Sequence, residues 1–126
     1  MGNQLCEFEQ LEAWKTAREL VRLVYAIFRR PIPSKDFGLK DQVQRAAVSA
    51  MTNIAEGFER VHVQEKLQFY NIARASCGEV RSLSYVMLDA AYLSSEEYET
   101  LMSLVAQTGR LISGLIRSTQ QRTPSP

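Results

Sequence analysis

The chain has few of the residues that catalysis and metal binding draw on. It holds one histidine, His62. A lone histidine can act as a general base, but local spacing sets no serine or cysteine nucleophile beside it. Its two cysteines, Cys6 and Cys77, make neither a disulfide framework nor a Cys-x-x-Cys pair. There is no Glu-x-x-His pair of the kind that di-iron bundles use, no zinc-ligand spacing and no glycine-rich phosphate loop. These absences argue against an enzyme, and neither a metal nor a cofactor is expected. No apolar run approaches the ~20 residues that span a bilayer. No amino-terminal signal pattern is present either, so a cytoplasmic protein without a membrane partner is expected. Charge of one sign is also lacking, with 15 Lys and Arg against 14 Asp and Glu and a net charge of +1. A dedicated nucleic-acid binder is more basic, so any electrostatic footprint has to come from local clustering.

What is present is helical periodicity. The 126 residues suit one domain. After a short polar leader, a helix is predicted over residues 8–30, with Leu11, Trp14, Val21, Val24 and Phe28 on one side. Pro31 and Pro33 end it. A second helix is predicted over 38–60, capped by Asp36, and a third over 63–92 after a very short turn. One face of the third reads Phe69, Ile72, Ser76, Val80, Leu83, Met87, Ala90. A second apolar line reads Leu67, Tyr70, Cys77, Tyr85, Leu88. The fourth helix, 95–121, opens on a Ser94 to Glu97 capping box and buries Leu101, Leu104, Val105, Thr108, Leu111, Ile112, Leu115 and Ile116. Gly78, Gly109 and Gly114 suggest close helix approach, and residues 123–126 a disordered tail. Short loops make neighbours antiparallel, so the expected fold is all-α: an antiparallel up-down-up-down four-helix bundle.

The second helix organises the rest. Val43, Ala47, Ala50, Ile54 and Phe58 form its apolar face, and small residues flank it. Arg45, Asn53 and Glu56 lie along a polar seam. A hairpin turning near Val61 sets Arg45 level with Glu79 and predicts an ion pair between them. Two readings of this group stand: a ligand or partner site, or a polar network that fixes helix register.

Helix one carries the best candidate surface. Lys15, Arg18, Arg22 and Arg29 fall within about 60° of each other on a helical wheel, with Tyr25 in the same stripe. Such a stripe suits the phosphate backbone of RNA or DNA. The alternative is a solvated face, with Glu19 pairing Lys15. Apolar and small surfaces beyond one face per helix predict a homo-oligomer. A protein-binding scaffold for a partner enzyme, without nucleic-acid affinity, is the alternative function.

Several blocks carry a family resemblance: Leu11-Glu12-Ala13-Trp14-Lys15, Phe37-Gly38-Leu39, Gln44-Arg45-Ala46-Ala47-Val48-Ser49 and Asn53-Ile54-Ala55-Glu56-Gly57-Phe58. Ser76, Glu79, Gly109-Arg110-Leu111 and Gly114-Leu115 fit as well. The chain resembles the four-helix bundle family of 23S rRNA intervening-sequence proteins. That resemblance implies a bacterial protein with an up-down-up-down bundle, often a homopentamer. It also implies a relation to retroelement accessory proteins that bind nucleic acid and a reverse transcriptase. Two departures stand out. Ala50-Met51-Thr52 replaces an expected Ile-Pro-Ala, which removes a proline kink. Glu59 and His62 interrupt an expected basic segment, leaving Arg60 and Lys66.

Overall fold

The computed structural model describes residues 7–122. The terminal residues, including Cys6 and the tail expected over 123–126, lie outside the described residues. Among those described there are four long helices and no strand: α1 Glu12–Phe28, α2 Phe37–Glu59, α3 Val63–Asp89 and α4 Ser95–Gln121. α1 and α3 each pack on both α2 and α4, so the four helices close around a common core. No helix among the described residues is long and apolar enough to cross a membrane.

The first helix begins later than its periodicity predicts. Leu11 is extended, at φ −72° and ψ 130°, and separates α1 from a 3-10 turn over Phe8–Gln10. The break lets the Phe8 ring meet Trp14 edge-on at 5.3 Å. α2 begins where the Asp36 carboxylate accepts the Leu39 N–H at 3.3 Å. α4 begins on the expected capping box. Ser94 Oγ accepts from Glu97 N at 3.1 Å, and Ser94 N donates to the Glu97 carboxylate at 2.9 Å. α3 stops at Asp89 through a Schellman turn. Tyr92 N donates to Met87 O and Ala91 N to Leu88 O, both at 2.9 Å. This puts Ala91 in the left-handed region at φ 63°.

One end of the molecule is held by a polar cluster that draws on all four helices. Arg30, just past α1, makes a two-bond pair with Glu97 in the first turn of α4. The same guanidinium reaches the Tyr92 carbonyl at 3.4 Å. Tyr92, just past α3, donates its hydroxyl to Asp36, the cap of α2, at 2.7 Å. At the other end Lys66, in the first turn of α3, donates to the carbonyls of Gly57 and Phe58 at 3.3 and 2.8 Å. Both carbonyls lie in the closing turn of α2, where Gly57 O also accepts the Arg60 N–H at 3.3 Å.

The core has two parts. Toward the Arg30 end it is bulky, with Leu20, Ile27, Phe28, Val43, Met87 and Leu101 buried. Toward the other end it is built on Ala13, Ala17, Ala50 and Ala73 with Ile54, Tyr70 and Ile112. The expected α4 face holds in part: Leu101, Val105, Thr108, Ile112 and Ile116 are buried, with Thr119 added, whereas Leu104, Leu111 and Leu115 are half-buried at its edges. The expected α3 face holds from Ser76 to Met87 but fails at both ends. Tyr70 and Ala73 point inward, whereas Ile72 is 43% exposed and Ala90 is exposed. Ahead of Ser76 the cause is Gly57. A Cβ there would lie 2.6 Å from the Tyr70 ring, so the missing side chain is the space the ring fills. With Tyr70 turned in, Ile72 lies about 200° further round the helix.

Candidate nucleic-acid interface

All five residues of the helix-one stripe are exposed, with Arg29 just past the helix. They keep one side of α1, opposite Ala13, Ala17, Leu20 and Val24 in the core. Two of the cations have a carboxylate one turn away: Lys15 with Glu12 and Arg22 with Glu19, each at 3.5 Å. The expected Glu19–Lys15 pair is therefore replaced by two i,i+3 pairs. Exposed pairs of this kind contribute little to stability, but they lower the local potential. Arg18 lies over the Trp14 ring at 5.8 Å. Arg18 and Arg29 have no carboxylate partner among the described residues. Tyr25 is 37% exposed and lines a shallow groove against α2 with Arg45 and Val48.

The polar seam of α2 is organised differently from its sequence reading. Arg45 pairs with Asp41, one turn back on its own helix, at 3.5 Å. The expected Arg45–Glu79 ion pair does not form, and Glu79 makes no ion pair among the described residues. Both residues are exposed walls of one groove of about 490 Å³ between α2 and α3. No burial forces them together, and the local partner orders less chain. The link across the two helices is made by smaller groups. Ser49 Oγ and Ser76 Oγ are 2.8 Å apart. Asn53 Nδ2 donates to Ser49 O at 2.9 Å and to Ser49 Oγ at 3.0 Å. Glu56 pairs with Arg60 at 3.2 Å, and the Arg60 guanidinium sits 4.7 Å from the Phe69 ring. At Gly57 α3 packs close, with the Tyr70 ring and the Lys66 carbonyl oxygen within 3.2 Å of where a Cβ would lie.

His62 is an exposed turn residue. Cys77 is buried, and burial pushes its thiol up to about 11, which makes it a poor nucleophile near neutral pH. Sequence reasoning does not single out four residues as a site: Arg74 and Arg81 of α3, Arg110 and Arg117 of α4. They line one groove of about 870 Å³ between those helices. Their signal was in the sequence all along, as a seven-residue spacing on each helix. The glycines expected to bring helices together, Gly78 and Gly109, lie in this groove, where an added Cβ would meet nothing within 4 Å.

The molecule is thus an all-α protein of four packed helices, with a hydroxyl and amide link between α2 and α3 and cations gathered on exposed faces. The chain belongs to the 23S rRNA-intervening sequence protein family, whose model matches residues 9–114. It is similar in fold to a crystal structure from Bacteroides thetaiotaomicron, described as a protein with unknown function from the S23 ribosomal protein family. The two superpose with a TM-score of 0.75 at 21% identity, covering 82% of this chain and 97% of the other. No curated protein matches the chain.

Proposed function

We propose that this protein is a non-enzymatic, cytoplasmic, nucleic-acid-associated accessory protein that works as a homo-oligomer. The observation that carries the reading is the segregation of exposed cations, on a chain of net charge +1, onto particular helix faces. On α1 the surface consists of Lys15, Arg18, Arg22, Tyr25 and Arg29, with Arg18 and Arg29 free to take phosphate. The contacts at the helix ends, α1 to α4 and α3 to α2, support an antiparallel up-down-up-down bundle in a single domain. Exposed Ile72 and Val86 on α3 support self-association, and the family resemblance supports five subunits. A ring would repeat the basic surface and raise a weak affinity by avidity.

A mobility-shift assay with RNA and DNA over several salt concentrations tests the proposal, with the mass measured by light scattering. Salt-dependent binding by an oligomer is expected. A monomer at micromolar concentration ends the oligomer reading, and failure to shift either nucleic acid ends the nucleic-acid reading. Capture of one protein partner from nuclease-treated extract, with no nucleic-acid binding, would favour the scaffold alternative.

A further inference from the structure

The two helices that form the chain's carboxy-terminal half differ from α1 in how they carry charge. From Thr100 to Arg122 the sequence has three arginines and no acidic residue. Arg110 and Arg117 stand seven residues apart on α4, and Arg74 and Arg81 seven apart on α3. Seven residues is two helical turns, or about 10.5 Å along the axis. All four side chains are exposed and line the same groove, two from each wall. The groove lining contains no aspartate or glutamate. None of the four arginines makes an ion pair among the described residues, and the side-chain bond of Arg74 goes to the neutral Asn71 amide at 3.4 Å. Five cations elsewhere, Lys15, Arg22, Arg30, Arg45 and Arg60, do make ion pairs.

Between the arginine rows the floor is small and largely apolar, with Cys77, Gly78, Ala106 and Gly109. Gly78 and Gly109 keep it open, since no atom lies within 4 Å of where their Cβ atoms would be. A glycine in mid-helix costs about 1 kcal/mol relative to alanine, and this packing gives no intramolecular return for it. The return is depth in the groove.

The geometry points to this groove as a binding site for a single nucleic-acid strand, its phosphates held by Arg74, Arg81, Arg110 and Arg117. The assignment rests on the nucleic-acid reading above and locates the main contact away from α1. Unpaired guanidiniums are donors in a fixed fork that matches phosphate oxygens. Packed helix axes lie 8–10 Å apart, so cations on both walls converge on something narrow. A strand enters such a groove, and its bases find faces on the small floor and on the guanidinium planes. A duplex is broader and stiffer than one strand and keeps its bases stacked inside, so it rests on the rims and offers no base to the floor. A second copy of the chain is the competing occupant, since its carboxylates would also pair with these arginines, and the oligomer mass of the groove variants separates the two.

The test uses the full chain and a labelled oligouridylate of about 16 nucleotides, with oligodeoxythymidylate and an RNA duplex of the same length alongside. Each phosphate contact to a single strand contributes about 0.7 to the slope of log K against log salt. The double variant R74A/R110A should therefore flatten the slope by about 1.4, as should R81A/R117A, with weaker binding to both single strands. R74K/R110K should keep the slope of the unaltered protein. All these positions are exposed, and unchanged circular dichroism checks that folding is intact.

If the groove variants bind as the unaltered protein does while R18A/R29A on α1 loses affinity, the groove assignment falls and the nucleic-acid reading survives. If the unaltered protein binds none of the probes, both fall. Equal affinity for the duplex with the same loss in the groove variants overturns the single-strand assignment. So does a changed oligomer mass in those variants with binding unaltered.

Discussion

Replacing Gly57 with alanine sets two known effects against each other. Alanine is the better helix former, by about 1 kcal/mol in a helix interior. Gly57 is two residues from the end of α2, so the gain there is smaller. Against it stands the Tyr70 ring. The new methyl would lie 2.6 and 2.8 Å from two ring carbons and 3.2 Å from the Lys66 carbonyl oxygen. Comfortable carbon contacts are about 3.5–4.0 Å, so something has to move by roughly 1 Å. The ring cannot swing out, because Tyr70 is 2% exposed and packed in the lower core. Separating α2 from α3 would stretch the Lys66 bonds to the Gly57 and Phe58 carbonyls. Overpacking of this kind costs about 1–3 kcal/mol, so it outweighs propensity and leaves a net loss of about 1–2 kcal/mol.

Urea unfolding at fixed protein concentration measures the change. The midpoint should fall by roughly 0.5–1 M with the slope m unchanged. In a Tyr70→Leu background, which removes the ring, the same substitution should become neutral or stabilising, a coupling that a double-mutant cycle reads directly. A Gly57→Ala protein as stable as the parent, or more so, would refute the claim that Gly57 exists to seat Tyr70.

Ala91→Gly should raise stability by a few tenths to about 1 kcal/mol, since it relieves a left-handed non-glycine residue at the α3 terminus at some entropic cost in the unfolded chain; an unchanged or lowered urea midpoint would count against it. The Arg30 guanidinium, helped by the Ser94 N–H, holds the Glu97 carboxyl down to about 2 from an ordinary 4.5. Its contribution is therefore complete above about pH 4.5 and lost as pH falls toward 2, so Glu97→Gln should flatten that limb of the stability–pH curve; parallel curves would dismiss the pair. In a Cys6→Ser background, Cys77 should resist iodoacetamide at pH 8 while folded and react quickly once unfolded, because burial holds its thiol near 11; rapid labelling of the folded protein would contradict the burial. Arg45 and Glu79 should show no coupling in a double-mutant cycle, whereas Arg45 and Asp41 should couple weakly, by a few tenths of a kcal/mol.

The four helices were legible because each signals itself locally. The apolar stripe of α4, its capping box and the Asp36 cap of α2 are patterns within a few turns of chain. Most of the differences concern what one helix does to another; the later start of α1 and its two i,i+3 ion pairs are local exceptions. A stripe containing Ile72 and one containing Tyr70 are equally periodic, and choosing between them requires knowing that Gly57 stands opposite. Arg45 and Glu79 were matched by axial level, but level says nothing about exposure, and exposed charges have no need of each other. Glycines at 78 and 109 were read as contact points, whereas they face open space. The seven-residue spacing of the groove arginines was visible on each helix separately. It gains meaning when α3 and α4 lie side by side, which is a tertiary fact.

The polar cluster at the Arg30 end also bears on the order in which the chain assembles. The contacts of α2 with α3, and of α3 with α4, join neighbours in sequence, so each hairpin can form with little loop to close. Arg30 and Glu97 are 67 residues apart, and their pairing brings α1 onto α4 across the other two helices. Closing so long a loop is entropically the latest step, and it pins the same turn that carries Tyr92 and Asp36. The cluster is a clasp on an otherwise sequential stack of hairpins, tying the ends of all four helices together at one end of the core they share.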